Sequence, residues 1–305
     1  MKPSVSLWPA WRQPAVNALR AMLGEIEGLP ITGGESSVRV SPAGVETGRW
    51  VVGFSRVGVS VERLRGLPER LEMPVEGAER FRAELPRARQ IYLAIEQTHT
   101  QVIAKVYLEH ALSAPDLQNR APENRHVSLA ISSCKWLVDA ADISSRQTEY
   151  WRMSGLDGQA MVALLREAQG LIPVGQHLYA GVAQVLAHAL QVAPGWHGHR
   201  LLVVREPGTS RHGVGVRFYG SELRVNAAIE LFVNHFHAWG LTPEILSDLQ
   251  PVWAAQELGW LHAGLDEQAQ PYLNIYGALN RADTRAVLSQ FGAARLEPRA
   301  TLQES

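Results

Sequence analysis

The sequence predicts a closed antiparallel β-barrel of ten strands with helices packed around its outside, an α+β fold in a single domain spanning residues 1–305. Three observations predict it. Strand-like segments occur as five pairs joined by turn-forming residues, helical patterns follow the later pairs, and polar marker residues recur at a period near 56 positions.

The first pair is SSVRVSPAG (36–44) with GRWVVGFSRVGVSVERL (48–64). The second, RQIYLAIEQTHTQVIAKVYLEH (89–110), turns at the polar QTHT, and the third is HVSLAISSCKWLVDAADISSRQTEYWRMSG (126–155). In RLLVVREPGTSRHGVGVRFYGS (200–221) the EPGTSRHG stretch is the strongest turn signal in the chain, and ELGWLHAGLDEQAQPYLNIYGAL (257–279) turns at GLDEQAQP. Residues 155–171, 177–192, 224–240 and 281–296 carry apolar side chains at spacings of three and four, with Gly, Pro, Asp or Asn near their ends, and predict helices. From Arg49 to Lys105 is 56 positions, from Lys105 to Arg217 is 112, and from Arg217 to Asn274 is 57, so one strand–strand–helix unit is repeated. In the third copy the marked face could carry Tyr150 with Arg152, or Glu149 with Trp151.

Closure removes the edges that ten antiparallel strands would otherwise expose. The outward face then meets helices and must be apolar, so the polar member of each alternation points inward. On VIAKVYLEH (102–110), Val102, Ala104, Val106 and Leu108 share one side, and Ile103, Lys105, Tyr107 and Glu109 the other. Arg217 with Tyr219 and Asn274 with Tyr276 repeat the arrangement. Ten strands enclose more room than eight, enough to hold a ligand. Cations gathered in such a lumen repel one another unless an anion sits among them, which implies an anionic ligand. Arg and Lys suit phosphate oxygens, and Tyr faces stabilise a carbocation, so the pattern fits a diphosphate that departs and leaves an allylic cation.

Composition excludes several other classes. With 46% hydrophobic and 19% charged residues the chain can bury a large core, and a formal net charge of −1 without basic blocks argues against nucleic acid or a membrane surface as the main partner. Cys134 is the only cysteine and reads as a small core filler, no apolar run is long enough to span a membrane, and MKPSVSLWPAWRQ lacks a signal-peptide core, so cytoplasmic residence is the expectation.

Five strand–strand–helix repeats with [KR]-x-Y on second strands resemble the ABBA-barrel aromatic prenyltransferases, and more particularly the cyanobactin-type peptide prenyltransferases. GESSVRVSPAGVETGRWVVGF (34–54) is similar to the family segment in which an acceptor-contacting glutamate precedes a diphosphate-binding arginine, matched by Glu35 and Arg49. VIAKVYLEH resembles the strand with a second diphosphate-binding cation, matched by Lys105, and residues 249–279 resemble the last hairpin, with paired Tyr272 and Tyr276. The resemblance implies transfer of a dimethylallyl or longer (geranyl) group from its allylic diphosphate to a nucleophilic side chain of a peptide. Prenylation of a small aromatic or indole metabolite is the alternative. Arg49, Lys105, Arg217 and Asn274 would hold the diphosphate, Tyr107, Tyr150, Tyr219, Tyr272 and Tyr276 would line the donor and screen the cation, and Glu35 would take the acceptor's proton. Mg2+ could accompany the diphosphate, although no aspartate-rich motif is present.

Taken singly, each [KR]-x-Y is an ordinary exposed strand face, and only the repetition argues otherwise. The H-x-H pairs at His197/His199 and His235/His237 read as structural, and of the tryptophans Trp50, Trp136, Trp151 and Trp260 could line the lumen. A non-catalytic barrel binding an anionic metabolite would use the same cations without needing Glu35. A metal-dependent barrel oxygenase would need converging His and carboxylate ligands.

Overall fold

Each of the five pairs folds as an antiparallel hairpin: β1 (Ile31–Ser41) with β2 (Gly44–Ser55), β3 (Ala88–Gln97) with β4 (Val102–His110), β5 (His126–Leu137) with β6 (Ser145–Ser154), β7 (Arg200–Arg205) with β8 (His212–Arg217), and β9 (Glu257–Leu265) with β10 (Pro271–Leu279). Neighbouring hairpins pair in chain order and β10 returns to β1, closing the barrel. This computed structural model describes residues 13–98, 100–111, 126–138, 144–168, 178–242 and 255–285. The hairpin turns sit at one end of the barrel and the longer connections at the other. The EPGTSRHG turn places Gly208 at φ +78°, a left-handed conformation that glycine adopts without steric cost. In the last turn Asp266 Oδ1 accepts from the backbone N–H groups of Gln268 and Gln270, at 3.0 and 2.9 Å.

Helices cover the outer face in two groups. An unforeseen N-terminal helix, α1 (Gln13–Ile26), buries Ala15, Leu19, Met22 and Ile26, spaced four, three and four residues apart along one stripe. With the short helices α2 (Val61–Arg65), α3 (Leu67–Arg70) and α4 (Val75–Glu84) it packs on the outward residues of β2, β3 and β4, including Trp50, Phe54, Leu93 and Val106. The expected extension of the second strand through VERL is therefore corrected. The strand ends at Ser55, and Ser60 caps α2 by accepting from the Arg63 N–H at 3.2 Å. On the other side α5 (Gly158–Ala168), α6 (Leu178–Val192) and α7 (Val225–Ala238) pack on β1 and β7–β10. These three helices realise the predicted 155–171, 177–192 and 224–240. Of the predicted 281–296 helix, residues 281–285 are helical and the remainder lies outside the described residues.

The α6–α7 contact depends on Gly181, where a Cβ would fall inside the van der Waals envelope of the Phe232 ring. Gly181→Ala is expected to lower stability by about 1–3 kcal/mol, the usual cost of overpacking a dense core, read as an earlier urea midpoint at unchanged slope. An unmoved midpoint would show that the two helices separate freely.

Candidate active site

Alternation brings the predicted polar side chains inward, where they surround a cavity of about 370 Å³, within the range of small-molecule sites. The cavity lies toward the end bearing the long connections, where Gly33, Gly34 and Gly53 line its rim.

Two carboxylates face it, each tied to a tyrosine. The Tyr219 hydroxyl donates to Glu35 Oε1, and the Tyr92 hydroxyl donates to Glu109 Oε2 at 2.5 Å. Arg89 reaches Glu109 at 3.4 Å. Burial raises the Glu35 carboxyl to about 7, against the lowering effects of the Tyr219 hydrogen bond and Arg217 and with a further push from Glu109. Arg217, the last residue of β8, donates through Nη1 to the Gly198 carbonyl at 2.7 Å, and its guanidinium lies 4.8 Å from the Tyr219 ring centroid.

An aromatic belt forms the wall. Tyr107 and Tyr150 have ring centroids 6.1 Å apart, and His262 lies 5.9 Å from Tyr150, 5.6 Å from Trp260 and 5.1 Å from Tyr276. The imidazole has this space because β8 offers Gly215 opposite it: a Cβ there would lie 2.8 Å from His262 Nε2. Burial, then Arg211, Arg49 and Lys105, lowers the His262 pKa to about 3, so at neutral pH the ring is an uncharged aromatic face. Leu202 and Val204 of β7 extend the wall with aliphatic surface.

Arg49 and Lys105 lie farther in, outside the cavity lining, and both bind one carboxylate. Glu96 Oε1 pairs with Arg49 Nη2 and lies 2.6 Å from Lys105 Nζ. All three side chains are nearly inaccessible. Burial alone would raise the Glu96 carboxyl, but the two cations hold it well below the ordinary range. Burial lowers Lys105 to about 7, opposed by Glu96 and reinforced by Arg49. Asn274 is 2% exposed, and its Oδ1 accepts no hydrogen bond among the described residues.

The turn end is closed by ion pairs. Lys135 Nζ lies 2.7 Å from Glu206 and 2.5 Å from Glu267, Arg211 Nη1 is 3.5 Å from Glu267, and Arg39 pairs with Asp266 at 2.9 Å. Tyr272 lies here, with the Arg39 and Arg211 guanidiniums 4.5 and 5.4 Å from its ring centroid.

The lumen therefore contains Glu35, Tyr107, Tyr150, Tyr219 and Tyr276 around one cavity, as expected. The third copy is resolved in favour of Tyr150 with Arg152. Three expectations are corrected. Arg217 does not join Arg49 and Lys105, because it ends a six-residue strand near the rim, whereas the other two lie mid-strand. Repeat spacing measures position along the chain, and strand tilt turns equal positions into unequal heights. Tyr272 belongs to the closed end rather than the cavity. Trp50 and Trp136 pack outward, Trp151 donates to Glu149 at 3.1 Å, and only Trp260 of the four lines the cavity. Sequence reading missed Glu96 and His262 as site residues. Both were within reach of the same alternation, since Glu96 shares parity with Tyr92 and His262 with Trp260.

Outside the lumen a second cavity, of about 320 Å³, separates α4 from the outer faces of β4–β6 and exposes part of Cys134. Ser132 there donates to Glu84, with His110 Nε2 at 3.1 Å, but no carboxylate orients His110 Nδ1, so the three do not form a hydrolase triad. Among the described residues no three or more His, Cys, Asp or Glu groups are placed to hold a metal ion, and the inner carboxylates are engaged by Lys and Arg. Among the same residues no helix is long and apolar enough to cross a membrane.

Fold and site together give a closed ten-stranded antiparallel barrel, ringed by helices, with a carboxylate, an aromatic belt and a cation pair in its lumen. No protein-family model and no curated protein matches the chain. Among solved structures it is similar to AnaPT from Neosartorya fischeri, at 14% identity over 81% of this chain and 78% of that one, with a TM-score of 0.45. It is also similar to the NotF prenyltransferase, at 10% identity over 81% of each chain and a TM-score of 0.47. For NotF in complex with brevianamide F and DMSPP the values are 12%, 81%, 80% and 0.45.

Proposed function

We propose that the protein is a prenyltransferase, moving a dimethylallyl or geranyl group from an allylic diphosphate to a nucleophilic side chain of an aromatic amino acid, free or within a peptide. The observation that carries this reading is the order of groups in one lumen: a half-buried carboxylate and a buried cation pair on opposite sides of an aromatic belt. The donor's diphosphate would sit on Arg49 and Lys105, near the amide of Asn274. Its allylic chain would lie along Tyr107, Tyr150 and Tyr276, and Leu202 and Val204 offer apolar surface to a longer chain.

As the carbon–oxygen bond breaks, its electron pair leaves on the diphosphate, whose growing charge the two cations stabilise. The allylic cation is screened by tyrosine, tryptophan and neutral imidazole faces. The acceptor's nucleophile donates its electron pair to the allylic carbon, and the proton it sheds passes to Glu35. A carboxyl poised near neutrality suits that step.

The test is mass spectrometry of aromatic amino acids and short linear and cyclic peptides incubated with five-, ten- and fifteen-carbon allylic diphosphates. A product heavier by one prenyl unit supports the reading. Tight donor binding with no product from any acceptor would leave a non-catalytic anion-binding barrel.

The titrations predict the pH profile. Glu35 must be ionised to accept a proton, so turnover rises as pH increases through about 7. Lys105 loses its charge through the same region, and a bound diphosphate would raise its pKa, so donor binding takes up a proton and weakens above about 7. The donor kcat/KM is expected to be bell-shaped, and Lys105→Arg, permanently charged, should abolish the alkaline limb. An alkaline limb retained in that variant would assign it to another group.

A further inference from the structure

The Tyr219 hydroxyl that meets Glu35 belongs to a residue beyond the end of its strand, since the pairing of β7 with β8 stops at Arg200 and Arg217. What continues the hairpin past that point is a set of contacts from residues 195–199, the loop between α6 and β7. The loop takes hold of three consecutive residues. The Trp196 indole N–H donates to the Tyr219 carbonyl at 2.9 Å, and its ring stacks on Phe218 with centroids 5.9 Å apart and planes 17° from parallel. The Gly198 carbonyl accepts from Arg217 Nη1 at 2.7 Å. Trp196 is itself buried and fixed, with the His199 ring edge-on at 5.3 Å and its own backbone N–H on the Ala193 carbonyl at 2.9 Å. Position 198 requires glycine: a Cβ there would lie 2.5 Å from Trp196 Nε1, 2.8 Å from the Tyr219 carbonyl oxygen and 3.1 Å from Arg217 Nη1. On the other side Gly259 of β9 makes room for the Tyr219 ring, whose Cζ and Oη lie 3.0 Å from where its Cβ would be. The phenol is thus confined between its backbone anchor and the neighbouring strand.

We infer that Trp196, supported by Gly198, is a positioning residue: it holds the Tyr219 hydroxyl and the Arg217 guanidinium toward Glu35 and thereby keeps this carboxylate ionised for the acceptor's proton. Trp196 does not line the cavity, so it acts only through the residues it grips. Glu35 is faced by Tyr219 and Arg217 from the β8 side, by Glu109 of β4, by Tyr92 of β3 and by Tyr276 of β10. Burial, the largest influence, and Glu109 favour the neutral carboxyl, whereas the Tyr219 hydrogen bond and the Arg217 charge favour the ionised one. Both groups on the ionised side are held by residues 195–199. Loosening that hold leaves burial and Glu109 less opposed, and the Glu35 pKa rises above about 7.

The role assigned to Trp196 rests on the transferase reading, and direct titration of Glu35 separates the two. Its carboxyl is followed against pH by carbon-13 NMR, the signal assigned by its loss in Glu35→Gln, in the parent, Trp196→Phe and Tyr219→Phe. Tyr219→Phe removes the hydrogen bond outright and should raise the Glu35 pKa by about 1–2, the equivalent of one hydrogen bond to a charged group. Trp196→Phe keeps a ring on Phe218 but lacks the N–H, and should raise the Glu35 pKa by about 1. A rise of that size lowers the ionised fraction at pH 7 about fivefold, so turnover at saturating donor should fall about fivefold there and recover toward about pH 9. Donor affinity should stay within about twofold of the parent. If the melting transition shows Trp196→Phe to be misfolded, Gly198→Ala, which crowds the same three atoms, should give the same rise. An unmoved or lowered Glu35 pKa in the folded variant makes Trp196 a packing residue and overturns the inference, as does a Tyr219→Phe variant that titrates like the parent. A raised pKa in a protein whose parent makes no product from any donor upholds the hold on Glu35 and removes the transferase reading.

Discussion

Glu35→Gln is expected to lower product formation by about two to four orders of magnitude while leaving donor affinity within about twofold of the parent. The carboxamide oxygen can still accept from the Tyr219 hydroxyl, so the local geometry survives and only the capacity to take a proton is lost. Donor affinity should persist because the diphosphate is assigned to Arg49 and Lys105, which Glu35 does not touch. The measurement is chromatographic product formation and donor titration on one preparation. Turnover at the parent rate would make Glu109, the other cavity carboxylate, or solvent the proton acceptor. Parallel loss of binding and turnover would place Glu35 in the donor site.

Glu96→Gln has the second large effect, on stability. The substitution leaves the Arg49 guanidinium and the Lys105 ammonium buried without their shared carboxylate, and breaking such a pair by removing one partner costs about 3–5 kcal/mol. The lost charge can be replaced. Inorganic diphosphate, which would bind between the same two cations, is expected to restore part of the stability, by about 2.7 kcal/mol at a hundredfold excess over Kd. It should stabilise the variant more than the parent, where it must displace or share the cations with Glu96. Urea denaturation with and without diphosphate measures both terms. Equal stabilisation of parent and variant would mean that the anion binds elsewhere, and an unchanged midpoint in its absence would mean that Glu96 is not a counter-charge of consequence.

The site was legible where it depends on strand parity. An antiparallel strand sends alternate residues to opposite faces, so Lys105 and Tyr107 declare a shared face as soon as Val106 and Leu108 are assigned to the helix-packed side. The same rule placed Tyr276 in the lumen, but it left Tyr150 with Arg152 and Glu149 with Trp151 as alternatives, and Glu35 was singled out by the resemblance and its spacing to Arg49. The rule did not reveal what each cation meets there. The repulsion among lumen cations suggested an external anion, yet Glu96 already answers Arg49 and Lys105. Helix α1 was missed because its apolar stripe is read against a polar, tryptophan-containing leader, and α2 because VERL alternates well enough to pass for strand until Ser60 is seen to cap it.

What the sequence by itself determined is the number of hairpins, the closure that spares them exposed edges, and the face that the polar side chains of every pair but the third take, because all of these follow from local alternation, turn chemistry and the apolar demand of packed helices. Tertiary structure alone decided the heights. Strands in a closed barrel tilt and stagger, so Arg217 rises to the rim beside Glu35 while Arg49 and Lys105 converge on Glu96 deeper in, and glycine at 215 opens room for His262 from the neighbouring strand. Charge pairing in a lumen acts over a few ångströms between residues up to hundreds of positions apart, and that distance is a property of the closed sheet rather than of any segment within it.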